Sequence, residues 1–436
     1  MKLKFTLLVI ISFCMHFANA QWTNANMNSP RCLMGAASAN GKVVFAGGIG
    51  NISIPPAAYD LYNLSTNNWI NGSISLGRSR VAGASCGNWM MFAGGANDWI
   101  LSEYNRVDRY NASTGTWSNS NSLSVPRAYM AGAGCLNKMV FAGGQSGMGQ
   151  TYYNTVDIYD TTTQTWSTST ISVARVGMAA VANGGKIFFA GGNDNNGYYN
   201  TVDIYDVATG TWTTAALSIA RTEVSAVALG SKVYFAGGLY GTSSLSKIID
   251  IYDMNTGLWA VDSLSQARQM IAGGAVGSKL IFAGGANAAG SNGFTTVDIY
   301  DTLTGLWTTS ALPSLTFASS HAVVGNKFLI AGGVTASGMA STTVHIYTVT
   351  TTGLVEEQPT LLSAYPNPTN GLVNIQVRQA GNLEVIDATG NAVVRRAVDT
   401  GEDMIQVDLS SYAKGLYLVK FTNKSNECSL VRVIAE

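Results

Sequence analysis

Arginine is the residue type whose recurrence along this chain could support chemistry. Six arginines each stand sixteen residues before the first glycine of an Ala-Gly-Gly sequence, and a threonine takes the seventh place. A ring of guanidinium groups at this position could bind an anion. The arginines are Arg31, Arg78, Arg127, Arg175, Arg221 and Arg268, and the threonine is Thr316.

Six aspartates recur in the same repeats and favour a structural role for these arginines. The repeat that lacks the arginine also lacks the aspartate and has His345 at that position. Because both charges are absent from the same repeat, we predict that arginine and aspartate form an ion pair within each of the others. The aspartates are Asp60, Asp108, Asp157, Asp203, Asp250 and Asp298.

Aromatic and polar side chains are frequent in the segments after the glycine pairs, where the repeats differ most. We expect these segments to lie on one face of the protein. Rings beside amides and carboxylates suit stacking on sugars, with hydrogen bonds to hydroxyls, or contact with a protein partner. The aromatic candidates are Trp99, Tyr104, Tyr152, Tyr153, Tyr198, Tyr199, Tyr240 and Phe294, with Asn97, Asp98, Asn154, Asp194 and Asn195 between them. Tyr153 and Tyr199 both precede Asn-Thr-Val-Asp, which also suits a structural role.

Histidines and cysteines do not form the pattern of a metal or catalytic centre. Beyond residue 20 the sequence has two histidines, His321 and His345, both in the seventh repeat, and we expect each to be structural. The sequence contains no phosphate-binding glycine loop, Ser-His-Asp set or Cys/His cluster. We therefore assign no catalytic residue, metal or cofactor.

The element that positions these residues is a repeat of 46 to 49 residues. Each apolar run ending in Ala-Gly-Gly is followed by a tyrosine and, in six repeats, by a tryptophan seven residues later. This length is typical of one four-stranded propeller blade. The first glycines are Gly47, Gly94, Gly143, Gly191, Gly237, Gly284 and Gly332, and the tyrosines are Tyr62, Tyr110, Tyr159, Tyr205, Tyr252, Tyr300 and Tyr347.

The fourth unit reads RVGMAAVANGGKIFFAGGNDNNGYYNTVDIYDVATGTW and resembles a kelch repeat. The resemblance covers residues 21–354 and implies an all-β, seven-bladed kelch-type β-propeller. The seventh repeat lacks its tryptophan, whereas Trp22 stands 47 residues before Trp69, in register. We therefore predict that the segment around Trp22 is the outer strand of the last blade, with residues 354–357 as the alternative. Truncation of each buried tryptophan would cost about 3–5 kcal/mol.

Residues 1–20 have the pattern of a signal peptide, with two lysines, an apolar run and a cleavage site after Ala20. Four cysteines remain beyond it. Cys86 and Cys135 take the place of small hydrophobic residues in other repeats, so we predict no disulfide between them, and Cys32 and Cys428 suggest no paired framework.

After a predicted linker at 355–363, residues 364–436 change character. Alternating strands broken by Asn-Pro, Thr-Gly and Lys-Gly turns predict a small β-sandwich. The opening YPNPTNG, the turn from Asp387 to Gly390, and Leu409, Tyr412, Gly415 and Tyr417 resemble the C-terminal sorting domain of the type IX secretion system of Bacteroidota. The resemblance implies export across the outer membrane, with the secretion machinery and its sortase as partners.

Composition limits the classes of function. Charged residues make up 11% of the chain and the net charge is zero, which argues against a nucleic-acid partner, and no apolar run is long enough to span a membrane. We expect an exported cell-surface or secreted protein whose loop face binds a glycan or a protein. The alternatives are a kelch-type enzyme acting on an acidic sugar, or a structural surface or matrix component.

Overall fold

The structure is a computed structural model that describes residues 21–51, 54–97, 100–119, 122–147, 150–241, 243–349, 362–377, 380–402, 404–424 and 428–436. It divides near residue 350 into two compact units. No α-helix occurs among the described residues, and the prediction of an all-β fold is confirmed. The predicted signal peptide, with Ala20, lies outside these residues.

The described residues of the first unit form seven four-stranded antiparallel sheets. The first strands are Gly35–Ala39, Ala82–Cys86, Ala131–Cys135, Ala179–Asn183, Ser225–Leu229, Ala272–Val276 and Ser320–Val324. The second strands are Lys42–Ala46, Trp89–Ala93, Lys138–Ala142, Lys186–Ala190, Lys232–Ala236, Lys279–Ala283 and Lys327–Ala331. The third strands are Ala58–Asn63, Val107–Asn111, Thr155–Asp160, Thr201–Asp206, Ile248–Asp253, Thr296–Asp301 and Thr343–Thr348. The fourth strands are Asn68–Ser73, Thr116–Asn119, Thr165–Thr170, Thr211–Ala216, Trp259–Ser263, Leu306–Ala311 and, in the seventh sheet, Gln21–Asn26.

The sheets are arranged in a closed circle around a central channel. Each first strand contacts the first strands of both neighbouring sheets, and the seventh contacts the first. Each second strand is apolar and buried after its first residue because it is covered on both faces, as Phe188 and Phe189 illustrate with no exposed surface. Burial between adjacent sheets therefore supplies the core of this unit.

Among the described residues, short hairpins extend four of the connections between second and third strands. Their strands are Ala96–Asn97 with Ser102–Glu103, Gln145–Ser146 with Thr151–Tyr152, Asn193–Asp194 with Gly197–Tyr198, and Leu239–Tyr240 with Ser244–Leu245. Isolated bridges join the start of each such connection to the segment that enters the first strand of the same repeat, for example Val176 with Asn193. The variable loops and the entering segments therefore share one face, which we call the loop face.

A tyrosine of the third strand stands opposite a tryptophan of the fourth strand in every sheet. Tyr205 and Trp212 are register partners with ring centroids 4.9 Å apart, and Tyr347 stands opposite Trp22 at 5.2 Å. The tryptophans are half-buried, which corrects the expectation of full burial, because the fourth strand forms the outer edge of its sheet.

Replacing Trp22 by alanine is expected to lower the free energy of unfolding by about 2 kcal/mol, below the range for a fully buried aromatic because one part of the ring is already solvated. The measurement is urea unfolding, with Trp212→Ala as the matched change in the fourth sheet, whose four strands come from one repeat. Equal losses would fit a docked Gln21–Asn26 strand, whereas a negligible loss for Trp22 alone would contradict it.

The second unit has a three-stranded sheet packed on a four-stranded sheet. The strands are Leu362–Tyr365, Leu372–Val377 and Met404–Asp408 in one sheet, and Ala392–Val398, Gly381–Ile386, Gly415–Asn423 and Cys428–Ala435 in the other. Val373, Val385 and Val419 have no exposed surface in the core between them. The first strand begins at Leu362, inside the predicted linker, because Leu362 is itself part of this core. The rest of the predicted linker, 355–361, lies outside the described residues.

Candidate functional site

The six recurring arginines lie inside the sheets, each against the aspartate of its own repeat. Arg175 has no exposed surface, and its Nη2 lies 2.7 Å from Oδ2 of Asp203. The pairs are Arg31–Asp60, Arg78–Asp108, Arg127–Asp157, Arg175–Asp203, Arg221–Asp250 and Arg268–Asp298. All six arginines are fully buried, so none of these guanidinium groups is accessible to an anion in the channel.

Backbone carbonyls accept further hydrogen bonds from each guanidinium. In the fourth repeat, Arg175 donates from Nε to the carbonyl of Gly191 at 2.8 Å and from Nη1 to that of Val173 at 3.0 Å. Oδ1 of Asp203 accepts a hydrogen bond from the amide of Ser172 at 3.0 Å. Burial lowers the pKa of Arg175, and the neighbouring carboxylate opposes that shift. The pair thus ties the segment before the first strand to the second and third strands.

The seventh repeat fills the same space with neutral groups. Oγ1 of Thr316 donates to the carbonyl of Gly332 at 2.8 Å. His345 has 1% exposed surface, and its Nδ1 lies 2.9 Å from Oδ1 of Asn24, on the strand that contains Trp22. Burial lowers the pKa of His345 to about 4, so the imidazole is neutral at pH 7.

The glycine pairs couple each repeat to the next. The amide of Gly144 donates to the carbonyl of Arg175 in the next repeat at 3.0 Å. The equivalent bond, from the amide of Gly333 to the carbonyl of Arg31 at 2.9 Å, joins the seventh repeat to the first. Gly143 has φ of +68°, and a Cβ there would lie 2.6 Å from the Arg175 carbonyl oxygen. Both the backbone conformation and the close approach therefore require glycine.

Four of the aromatic candidates belong to the framework of the loop face. The amides of Tyr104, Tyr153, Tyr199 and Phe294 each donate at 2.9 Å to the carbonyl of the second glycine of their own repeat. The backbone carbonyl of each of the three tyrosines accepts a hydrogen bond from the backbone amide of the next recurring arginine. The distance from the Arg221 amide to the Tyr199 carbonyl is 3.1 Å. All four side chains are half-buried. Trp99 and Asp98 lie outside the described residues.

The other three aromatic candidates, Tyr152, Tyr198 and Tyr240, lie in the short hairpins. Tyr240 is 39% exposed, whereas Tyr152 and Tyr198 are half-buried. The hydroxyl of Tyr152 donates to Oδ1 of Asn195 at 3.0 Å and so connects the third and fourth repeats.

A groove of about 590 Å³ lies between the hairpins of the fourth and fifth repeats. Residues 193–198 form one side, and Ala220 and Gly241 lie opposite. Burial opposes the ionisation of Asp194, but hydrogen bonds from Asn196 and from the Tyr199 hydroxyl lower its pKa overall. The groove thus combines a tyrosine ring with amides and an ionised carboxylate.

The residue two positions after each recurring arginine, and after Thr316 in the seventh repeat, has a left-handed backbone, with φ between +50° and +66°. Backbone hydrogen bonds join some neighbours, such as the amide of Arg80 to the carbonyl of Leu33 at 2.9 Å. We call this set, which stands where the chain enters the channel-lining strands, the left-handed ring. Its members are Leu33, Arg80, Tyr129, Gly177, Glu223, Met270 and Ala318.

The left-handed ring contains polar side chains that were not among the predicted site residues. The guanidinium of Arg80 lies 4.7 Å from the ring centroid of Tyr129, beside a cavity of about 200 Å³ that Glu103 also lines. Burial raises the pKa of Glu223 to about 7. These residues share a position but no residue type, and the fixed offset of two from the arginine was the only signal in the sequence.

His321 lies on the channel side of the seventh sheet, in a cavity of about 260 Å³ lined by glycine and alanine of the first strands and by methionine and valine residues that precede them. Its Nδ1 is buried and has no partner among the described residues, and burial lowers its pKa to about 4. Within the described ranges no three His, Cys, Asp or Glu side chains are grouped as metal ligands. Cys32, Cys86 and Cys135 are free thiols.

Comparison with known proteins assigns both units to families. The model of the KLHDC2/KLHL20/DRC7 Kelch-repeats domain matches residues 81–261 and 131–312, which together span more than half of the chain. The model of the secretion system C-terminal sorting domain matches residues 363–435. A solved structure titled "Structure of YjhT" is similar at a TM-score of 0.51 and 17% identity, over 62% of this chain and 94% of that one, and this likeness shows the fold alone. No curated protein sequence matches the chain.

The sorting domain indicates export to the cell surface or the extracellular space. No helix in the described part of the chain could span a membrane. The predicted kelch-type propeller and type IX sorting domain are both confirmed. This chain belongs to the Kelch-repeat family and ends in a type IX secretion sorting domain.

Proposed function

We propose that this protein is an exported binding protein whose loop face binds a glycan. The observation that carries the proposal is the groove between the fourth and fifth repeats, where Tyr198, Asn195 and Asp194 line one side and the exposed ring of Tyr240 belongs to the opposite hairpin. Tyrosine rings stack on sugar faces, while amides and carboxylates hydrogen-bond to hydroxyls. The buried ion pairs hold the entering segments and leave the hairpins free to vary.

A protein ligand is the second candidate, favoured by exposed aliphatic side chains on the loops of the seventh, first and second repeats. Ile54, Ile100 and Leu101 are each 57% exposed, and Met339 is 49% exposed. The first and seventh loops meet where the amide of Ala340 donates to Oδ1 of Asn51 at 2.6 Å. Exposed apolar side chains of this size suit contact with a protein partner when they form one patch.

The double variant Tyr198→Ala, Tyr240→Ala is expected to weaken glycan binding by about 30-fold, since each ring contributes about 1 kcal/mol of stacking. The measurement is a glycan array with residues 21–436, followed by calorimetry on the best ligand. Tyr412→Ala is the matched control, because Tyr412 is also 39% exposed but belongs to the second unit. Glycan binding that survives the double variant would contradict this site, and binding to proteins alone would favour the second candidate.

A further inference from the structure

One end of the outer face of the four-stranded sheet in the second unit is apolar. Leu416 and Ile434 are register partners in adjacent strands and are 50% and 45% exposed. Leu418 is the register partner of Ile386 on its other side, and both are half-buried. Because register partners have their side chains on the same face of a sheet, these four side chains lie side by side. We call Ile386, Leu416, Leu418 and Ile434 the apolar face.

The apolar face does not belong to the core between the two sheets. Tyr417 and Val433, which alternate with its members along the strands, point to the opposite side and are buried in that core. The solvent side of such an antiparallel sheet is ordinarily polar. The other end of this one is polar, since Glu384 forms ion pairs with Arg395 at 3.0 Å and Lys420 at 3.3 Å. A contiguous exposed apolar patch is a feature of interaction surfaces.

The outer face of the three-stranded sheet has a different pattern. Leu372 and Met404 are 52% and 51% exposed there, much like Leu416 and Ile434. In each register pair, however, the apolar or aromatic residue stands opposite a polar one. The pairs are Leu372 with Asp408, Met404 with Gln376, and Tyr365 with Asn374. Exposure alone therefore does not distinguish the apolar face; adjacency of its members does.

The segment from Asn367 to Thr369 covers the outer edge of the last strand. Asn367 donates from Nδ2 to the carbonyl of Arg432 at 2.6 Å, and its Oδ1 accepts from the amide of Ile434 at 2.9 Å. The amide of Thr369 donates to the Ile434 carbonyl at 2.8 Å, and the Thr369 carbonyl accepts from the amide of Glu436 at 2.9 Å. A strand of another protein cannot pair with an edge whose groups are already bonded. A partner at this end of the sheet must therefore contact the face.

Arg432 adds a positive charge at the border of the apolar face. It is the register partner of Leu418, and its side chain is exposed. The described ion pairs of the second unit do not include it; they are Glu384 with Arg395, Glu384 with Lys420, and Glu402 with Arg396. A guanidinium beside apolar side chains suits a protein surface that is apolar at its centre and has a carboxylate at its rim.

We propose that the apolar face is the surface by which a protein of the type IX secretion machinery holds this domain during export. The family match makes the second unit a sorting domain, so a protein of that machinery recognises some surface of it. The apolar face has the adjacent apolar side chains and the available charge that such a contact needs. The partner is expected to contribute apolar side chains and a carboxylate that faces Arg432.

Export of the full chain by a Bacteroidota host with a type IX system tests this proposal. Leu416→Ser with Ile434→Ser should lower the fraction found on the surface and in the medium by about tenfold or more, since two apolar contacts are lost. Leu416→Met with Ile434→Val keeps the face apolar and should be exported normally. Leu372→Ser with Met404→Ser, on the other sheet, is the matched control and should also be exported normally.

Charge reversal and crosslinking test the face independently. Arg432→Glu should lower export, whereas Lys414→Glu, at an exposed position of the same unit, should not. A photoreactive phenylalanine analogue in place of Leu416 should crosslink, in exporting cells, to a component of the secretion machinery identified by mass spectrometry. The same analogue in place of Leu372 should give no such product.

The contrary results are equally specific. Normal export of the Leu416→Ser, Ile434→Ser variant would overturn the proposal, as would a machinery crosslink from position 372 and none from 416. A crosslink from 416 to a second copy of this chain would make the face a dimer interface and overturn the assigned partner. If thermal melting shows that the serine variant does not fold, the crosslink from 416 decides.

Discussion

Replacing Arg175 by alanine is expected to lower the free energy of unfolding of the propeller by about 3–5 kcal/mol. Asp203 is 2% exposed, and the change removes the counter-charge of its buried carboxylate. A buried charge without a partner is strongly unfavourable. It also leaves the carbonyls of Val173 and Gly191 without their guanidinium donors. Urea unfolding followed by tryptophan fluorescence measures the loss.

Lys232→Ala provides the matched control on the surface of the same unit. Nζ of Lys232 lies 2.8 Å from Oδ2 of Asp253, but the lysine side chain is 45% exposed, so the loss should stay below about 1 kcal/mol. Equal losses for the two variants would show that burial does not set the strength of these pairs.

A double variant separates two quantities: the net contribution of the ion pair to the free energy of unfolding, and the cost of leaving one partner buried without its counter-charge. Arg175→Thr with Asp203→His installs the residue types that Thr316 and His345 supply in the seventh repeat. Because no buried charge is left unpaired, the double variant should lose less stability than Arg175→Ala. A larger loss of stability would indicate that the neutral threonine and histidine of the seventh repeat depend on Asn24, which lies beside His345 there.

Gly143→Ala is expected to destabilise the propeller by about 3 kcal/mol or more, the second largest of these effects. A left-handed backbone costs alanine about 1–2 kcal/mol, and the overlap of its Cβ with the Arg175 carbonyl adds about 1–3 kcal/mol of strain. That carbonyl is also the acceptor for the amide of Gly144, so relief of the overlap weakens the bond between the two repeats. The shift of the urea midpoint measures the effect.

Gly305→Ala isolates the contribution of backbone conformation. Gly305 has φ of +71°, close to that of Gly143, but no atom lies within 4 Å of the Cβ that alanine would add. We expect a loss of only about 1 kcal/mol there. Similar losses at both glycines would mean that conformation alone, and not contact between repeats, makes the glycine pairs necessary.

The sheets were predictable from sequence because each one carries its own markers. The Gly-Gly, tyrosine and tryptophan positions recur together, and they occupy one strand position each in every sheet. Trp22 was identifiable as a fourth-strand residue because it keeps the spacing of the other tryptophans, and it stands opposite Tyr347. The partial exposure of these tryptophans was not predicted, although the outer position of the Trp22 strand was, since spacing does not say how much of an outer-strand ring the adjacent sheet covers.

The candidate site was predictable only in part. An aromatic-rich loop face was predicted, and the Asn-Thr-Val-Asp sequence after Tyr199 already suggested a structural role for it. The sequence did not show that Tyr198, its neighbour, lines a groove. The left-handed ring was not foreseen because Leu33 and Glu223 are not residue types that favour positive φ. Closure of the ring, rather than local preference, imposes that conformation.

The seventh sheet also sets the order in which the propeller can fold. Its fourth strand, Gln21–Asn26, pairs with Thr343–Thr348, so the first strand of the unit in sequence finds its partner in the last. Six sheets are built from contiguous sequence, whereas this one requires a loop of more than three hundred residues to close, and long loops carry the largest entropic cost. Hairpins and sheets of local sequence should therefore form first, and docking of residues 21–26 should be the final step of folding.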